Sequence, residues 1–155
     1  NAGFILQNGL PRWSVCPYSS LNGCATDWFT QAMIDDAALH KITNHVMINS
    51  NDLYSMKRAI CNNHGLKMDF QMDTNYYNAP DCNYIWNSKG TLMSSHSMVI
   101  IGYDDSKQAW LAQNSYGPTW ACNGRIWIDY NFLTVLTGGV WVMTTRVDKN
   151  LYPIL

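Results

Sequence analysis

Three kinds of side chain in this sequence suit covalent hydrolysis: a histidine, an asparagine and several thiols. His96 lies in SSHSMVIIGYDD, residues 94–105, and Asn114 in AQNSYGPTWACNG, residues 112–124. Each segment reads as one strand of a hairpin. A histidine that begins one strand and an asparagine that ends the next lie side by side in an antiparallel pair. An amide oxygen placed there accepts from one imidazole nitrogen, fixes the tautomer and leaves the other nitrogen to move protons. A thiol needs such a ring, because a nearby imidazolium lowers its pKa. Tyr116 and Trp120, brought over by a Gly117-Pro118 turn, would screen the His–Asn hydrogen bond from water and strengthen it. Singly, these residues are an edge histidine, a turn asparagine and a core tryptophan. Together they fit a Cys–His–Asn site.

The elements around them follow from periodicity. Residues 1–30 are rich in turns at Asn8-Gly9, Pro11, Pro17 and Asn22-Gly23, with a short helix over Phe4–Gln7. Asp27 to His40 carries a helical turn or two, and Ile42 to Ile48 alternates as a strand. SNDLYSMKRAICNNHG is the clearest helix: Ser50 or Asn51 caps it, Asp52 suits its first turn, Leu53, Met56 and Ile60 share a stripe, and Gly65 stops it. In LKMDFQM, Leu66, Met68, Phe70 and Met72 fall on one face of a strand. Residues 73–92 read as a polar connection. Four strands then follow in SMVIIGYD, QAWLAQN, GRIWIDY and GVWVMTTRV, which predicts a curved antiparallel sheet or partial barrel.

The bulk numbers narrow the function. The chain has 155 residues, 47% hydrophobic and 14% charged, with a net charge of −1, enough for one compact domain or a large piece of one. Lys and Arg are scattered, so no nucleic-acid partner and no anionic membrane surface is expected. No apolar run approaches the roughly 18 residues of a membrane span. The five cysteines, Cys16, Cys24, Cys61, Cys82 and Cys122, form no C-x-x-C pair, and His40 and His45 are not spaced as helical ligands, so no metal is expected. The start, NAGFILQNGL, lacks an initiator Met and reads as a processed or truncated end.

In its motifs the chain resembles the papain-like cysteine peptidases. SSHSMVIIGYDD is similar to that family's histidine strand, and WLAQNSYGPTWACNGRIWI to its asparagine segment. NAG resembles the family's Asn-Gly-Gly, NGLPRWSVCPYSS its Tyr-Pro-Tyr turn, and NSNDLYSMKRAICNNHGLKMDFQM the helix and strand before the histidine. The resemblance implies an α+β fold, mainly the antiparallel β-barrel half with part of the helical half. On it, residues 1–155 are the C-terminal, His/Asn-bearing portion of one peptidase domain.

The resemblance assigns His96 as general base and acid and Asn114 as its orienter, with Trp120 and Tyr116 as shields. Gly3 would lend backbone hydrogen bonds to a bound peptide, and Ser97 would line the pocket beside the histidine. It implies no cofactor and a secreted, lysosomal or vacuolar setting. The partners it implies are a peptide or protein substrate and the N-terminal chain or segment of the same peptidase. That segment would carry the nucleophile, since the family's Cys-bearing helix precedes Asn-Gly-Gly. Cys24 sits where the family has a structural cysteine, so it reads as structural or free rather than nucleophilic; Cys16 and Cys61 read as structural too. Cys82 precedes the histidine as a family disulfide cysteine does, which makes Cys122 a candidate partner. Ser95 replaces the usual Asp or Asn before the histidine, and Tyr116 the usual Trp. Those departures leave open a homologue that no longer cleaves and serves as a binding or structural module.

Overall fold

The computed structural model describes residues 2–17 and 30–145. They fall into two units, the first holding the described residues up to His45 with Met143 to Thr145, the second running from Val46 to Val142. Cys24, the Asn22-Gly23 turn and the expected start of a helix at Asp27 lie outside the described residues.

The first unit contains helices α1 (Ala2–Asn8) and α2 (Gln31–Ala38). Thr30 caps α2 by accepting the Met33 backbone N–H at 3.3 Å. α1 stops at Gly9, whose φ of +80° suits glycine, and a Cβ there would lie 1.7 Å from the Ala37 carbonyl oxygen. Asp36, buried on α2, fixes the chain beyond that turn. It accepts the Arg12 backbone N–H at 2.8 Å and the guanidinium Nε and Nη2 at 2.9 and 2.6 Å.

The second unit is built on strands β1 (Asn44–Asn49, from Val46 on), β2 (Leu66–Asp73), β3 (Ile85–Trp86), β4 (Leu92–Asp104), β5 (Ala109–Gln113), β6 (Arg125–Asp129) and β7 (Gly139–Thr144, as far as Val142), with helices α3 (Leu53–Cys61), α4 (Thr74–Tyr77) and α5 (Tyr130–Leu136). The strand order is β1-β7-β2-β4-β5-β6-β3. The β2/β4, β4/β5 and β5/β6 pairs are antiparallel, whereas β3 runs parallel to β6. Of the four strands expected to form the sheet, β4, β5 and β6 are neighbours as foreseen, but β7 pairs with β2 instead, and the sheet is wider and mixed.

The alternation foreseen in β2 buries Leu66, Met68, Phe70 and Met72 on one face. Across the pairing, Leu66 faces Ile100, Met68 faces Met98 and Phe70 faces His96, so these β4 residues share the core face. Trp110 and Ala112 of β5 and Ile126 and Ile128 of β6 continue it, and Met56 and Ala59 of α3 pack on the same core. Trp86, fully buried, stands edge-on to Phe70 at 5.4 Å and to Phe132 of α5 at 5.5 Å.

Several local expectations shift. α3 is capped by Asp52, which accepts the Ser55 N–H at 3.0 Å, rather than by Ser50 or Asn51. It ends at Cys61, because Asn63 already takes a φ of 61°. The connection over 73–92 holds α4, capped by Asp73 through the Tyr76 N–H at 2.8 Å, and the short β3. Tyr130 opens α5, capped by Asp129, instead of continuing β6. β4 begins at Leu92, so His96 lies inside the strand and not at its start.

Candidate active site

His96 and Asn114 come together because of one irregularity in the β4/β5 hairpin. From the turn, Asp104 faces Ala109, Tyr103 faces Trp110 and Gly102 faces Leu111; beyond a register shift, Ile100 faces Ala112 and Val99 faces Gln113. Ile101 has no partner and is the extra residue of a bulge. Unbroken pairing would have set Asn114 opposite Val99, on the outer face. With the bulge, the extended register sets Asn114 opposite Met98, on the face that carries His96, as its diagonal neighbour.

The side chains meet accordingly. His96 Nε2 lies 2.8 Å from Asn114 Oδ1. The same oxygen accepts the Ser115 backbone N–H at 2.7 Å. An amide nitrogen cannot accept a backbone N–H, so the atom facing the imidazole is oxygen, and Nε2 must carry the proton. Nδ1 is then the basic nitrogen. Asn114 is 5% exposed, and its Nδ2 is buried without a hydrogen-bond partner among the described residues.

Aromatic rings enclose the pair. Tyr116 stacks on the imidazole at 5.2 Å with an interplanar angle of 29°. Its hydroxyl points back to Met72 Sδ at 3.4 Å, and burial holds its phenol above the ordinary pKa. The polar end of Tyr116 is thus turned away from the His–Asn bond. Phe70 meets His96 edge-on at 5.9 Å. Trp120 lies one layer behind, 4.9 Å from Tyr76 and 5.8 Å from Tyr116.

The segment after Asn114 is held by its own backbone and by Gln113, which the sequence reading passed over. Asn114 N–H donates to the Gly124 carbonyl at 2.9 Å. Gln113 Nε2 donates to the carbonyls of Asn114 and Gly124 at 2.8 and 3.0 Å, while its Oε1 accepts from Arg125 Nε at 3.0 Å. Gly124 has a φ of +81°, and a Cβ on it would lie 2.9 Å from the Gly117 carbonyl oxygen. A Cys82–Cys122 disulfide ties this segment to the connection after α4.

Ser97 points away from the core face, one residue on from His96, and donates to Asp69 Oδ1. An open hollow of about 500 Å³ runs alongside, lined by Asp69, Phe70, Gln71, Ser95, His96, Ser97 and Leu136. No thiol lines it. Cys16 and Cys61 are free, and the Cys61 sulfur meets the Tyr103 hydroxyl at 3.5 Å. Cys61 is exposed and unbridged, against the expectation of a structural cysteine. Gly3 is the second residue of α1, in the first unit. Among the described residues, no group of His, Cys, Asp and Glu is arranged to hold a metal ion.

The central hairpin of the mixed sheet thus presents a half-buried histidine hydrogen-bonded to a buried asparagine beneath an aromatic lid. Comparison with known proteins gives the family: the model for papain family cysteine proteases matches residues 2–135, and the chain belongs to that family. Xylellain, a cysteine protease from Xylella fastidiosa, superposes with a TM-score of 0.76 at 19% identity, over 94% of this chain and 60% of its own. The bromelain protease from Ananas comosus, in complex with the E64 inhibitor, gives 0.65 at 19% identity, over 93% and 67%. A silicatein from Petrosia ficiformis is 43% identical over 51 residues, 32% of this chain and 13% of that protein. The chain therefore spans about 60% of the length of the first of these structures and a smaller part of the silicatein.

Proposed function

We propose that this chain supplies the His96 and Asn114 of a cysteine-type endopeptidase, as the C-terminal portion of a single peptidase domain. Its nucleophile is carried by an N-terminal chain or segment of the same enzyme. One observation supports this above the others: Asn114 Oδ1 is anchored by Ser115 N–H and holds His96 Nε2 at 2.8 Å. That geometry leaves Nδ1 as the base.

In the complete enzyme, Nδ1 takes the proton of the cysteine thiol, and the thiolate attacks the peptide carbonyl. The imidazolium then protonates the leaving amine, and a water deprotonated by the same nitrogen releases the acyl group. Asn114 keeps the ring in one tautomer through both half-reactions without adding a competing charge. Tyr116 and Trp120 keep water from that hydrogen bond. Gly3 lends backbone hydrogen bonds to the bound peptide, and Ser97 lines the adjoining hollow. The Cys82–Cys122 bridge supports a secreted, lysosomal or vacuolar setting, where disulfides persist.

The test is labelling with an active-site thiol reagent. The chain alone should not react at a catalytic thiol, and adding the N-terminal part should restore labelling that His96→Ala abolishes. If the reconstituted protein ignores the reagent, the peptidase reading fails. A catalytically inactive homologue acting as a binding module would then stand in its place, the reading to which Ser95 and Tyr116 lend themselves.

A further inference from the structure

We propose that the hollow beside His96 receives a basic side chain of the substrate, with Asp69 as the group that recognises it; this rests on the peptidase reading above. Among the described residues lining the hollow, Asp69 is the single carboxylate, and it is ionised across the neutral range. Its side chain is 60% exposed, so the carboxylate can meet a ligand without a buried charge having to be uncovered. The volume, about 500 Å³, lies within the roughly 300–1,000 Å³ typical of ligand pockets.

The carboxylate is already oriented. Ser97 donates to Oδ1, and Lys67, which is not part of the lining, holds Oδ2. Each carboxylate oxygen has two acceptor sites, so both oxygens keep one for an incoming N–H. Burial works to raise the Asp69 pKa, but the hydrogen bonds from Lys67 and Ser97 outweigh it and keep the carboxyl below its usual range.

The rest of the hollow suits a long amphipathic side chain. Half-buried Leu136 offers an apolar wall for an aliphatic stem, and Ser95 and Gln71 add polar groups to the lining. Lys67 does not close the site: a solvent-exposed lysine pair contributes little and yields to a better-placed cation.

The experiment uses the assembled enzyme and fluorogenic peptides in which a single Lys, or its uncharged isostere norleucine, is moved through successive positions. At one position Lys should exceed norleucine in kcat/KM by roughly tenfold. Asp69→Asn should bring that ratio close to one, and Lys67→Met should raise it severalfold. Equal ratios at every position, or a Lys preference that survives Asp69→Asn, overturn the inference. Binding of the same peptides to the His96→Ala protein, followed by amide shifts of Asp69 and Ser97, separates the two readings. Selective Lys binding without any cleavage by the parent enzyme defeats the peptidase reading alone, whereas binding indifferent to Lys defeats this inference whether or not cleavage occurs.

Discussion

His96 Nε2 stands 2.8 Å from Asn114 Oδ1, an oxygen already fixed by the Ser115 N–H. Asn114 thus positions the ring without sharing its proton. Asn114→Ala is expected to lower kcat by roughly 10²-fold with KM little changed, and His96→Ala to lower it further. Asn114→Asp sets a carboxylate against the imidazolium, so the basic limb of the pH–kcat/KM profile should move upward. Wild-type kcat in Asn114→Ala would contradict the assigned role.

Tyr116 covers the imidazole face to face at 5.2 Å. Removing the ring in Tyr116→Ala admits water to the Nε2 hydrogen bond. The loss should be about 1 kcal/mol, near fivefold in kcat, and Tyr116→Phe or Tyr116→Trp should restore most of it. Exchange of the His96 Nε2 proton with solvent, followed by NMR, should quicken in the Ala variant alone. A ring that merely packs would leave that exchange unchanged.

The Cys82–Cys122 bridge closes a chain separation of 40 residues. By loop-closure entropy it constrains the unfolded chain by about 4 kcal/mol. The double Cys82→Ser, Cys122→Ser variant should lose up to that amount in a denaturant titration. Because Cys122 lies in the segment that presents Asn114, kcat should fall as well under conditions where the variant is still folded. Full activity in the folded variant would show that Gln113 and the backbone hold the segment unaided.

Asp105 joins three elements: it accepts from Lys57 Nζ of α3 at 2.5 Å and from the Tyr130 hydroxyl at the start of α5 at 2.9 Å. The Lys57 ammonium, and then the Tyr130 hydroxyl, lower the Asp105 pKa. A depressed folded-state pKa stabilises the protein above the unfolded value, about pH 4, and that contribution disappears as pH falls through the lowered value. Neighbouring Asp104 is lowered to about 2, first by the Ser106 hydroxyl. The melting temperature of Asp105→Asn should therefore lie below wild type at neutral pH, and the gap should close as acid is added below about pH 4. A gap that persists at the acid end would mean the variant is destabilised for other reasons.

The sequence made the site more legible than its setting. His96 and Asn114 stand in segments whose residue order is distinctive, and the period-two burial of Leu66, Met68, Phe70 and Met72 needs no tertiary information. Tyr130–Leu136 was harder to see, because DYNFLTVL follows a strand without a break in composition. Its sign was Asp129, which caps through the N–H groups of Asn131 and Phe132 at 2.9 and 3.0 Å. Asp73 gave a similar sign for α4, obscured by the polar residues around it. The two-residue β3 depends on its parallel pairing with β6, a contact between distant residues that local pattern does not encode. Asp69 escaped notice as a solvent-side strand residue, since its interest arises only beside Ser97 and the hollow.

The unpaired Ile101 makes the β4 arm of the hairpin one residue longer than its regular pairs require. Gly102–Leu111 and Ile100–Ala112 are successive pairs on either side of it, so a chain without Ile101 would keep Asn114 opposite Met98, on the same side of the sheet as His96. Regular pairing of Ile101 with Ala112 is what would part them: Asn114 would move opposite Val99, with both side chains still present and the dyad gone. The pairing register, rather than the inventory of side chains, therefore makes the dyad. Deletion of Ile101 should be tolerated in functional variants, whereas changes that draw it into the ladder should not.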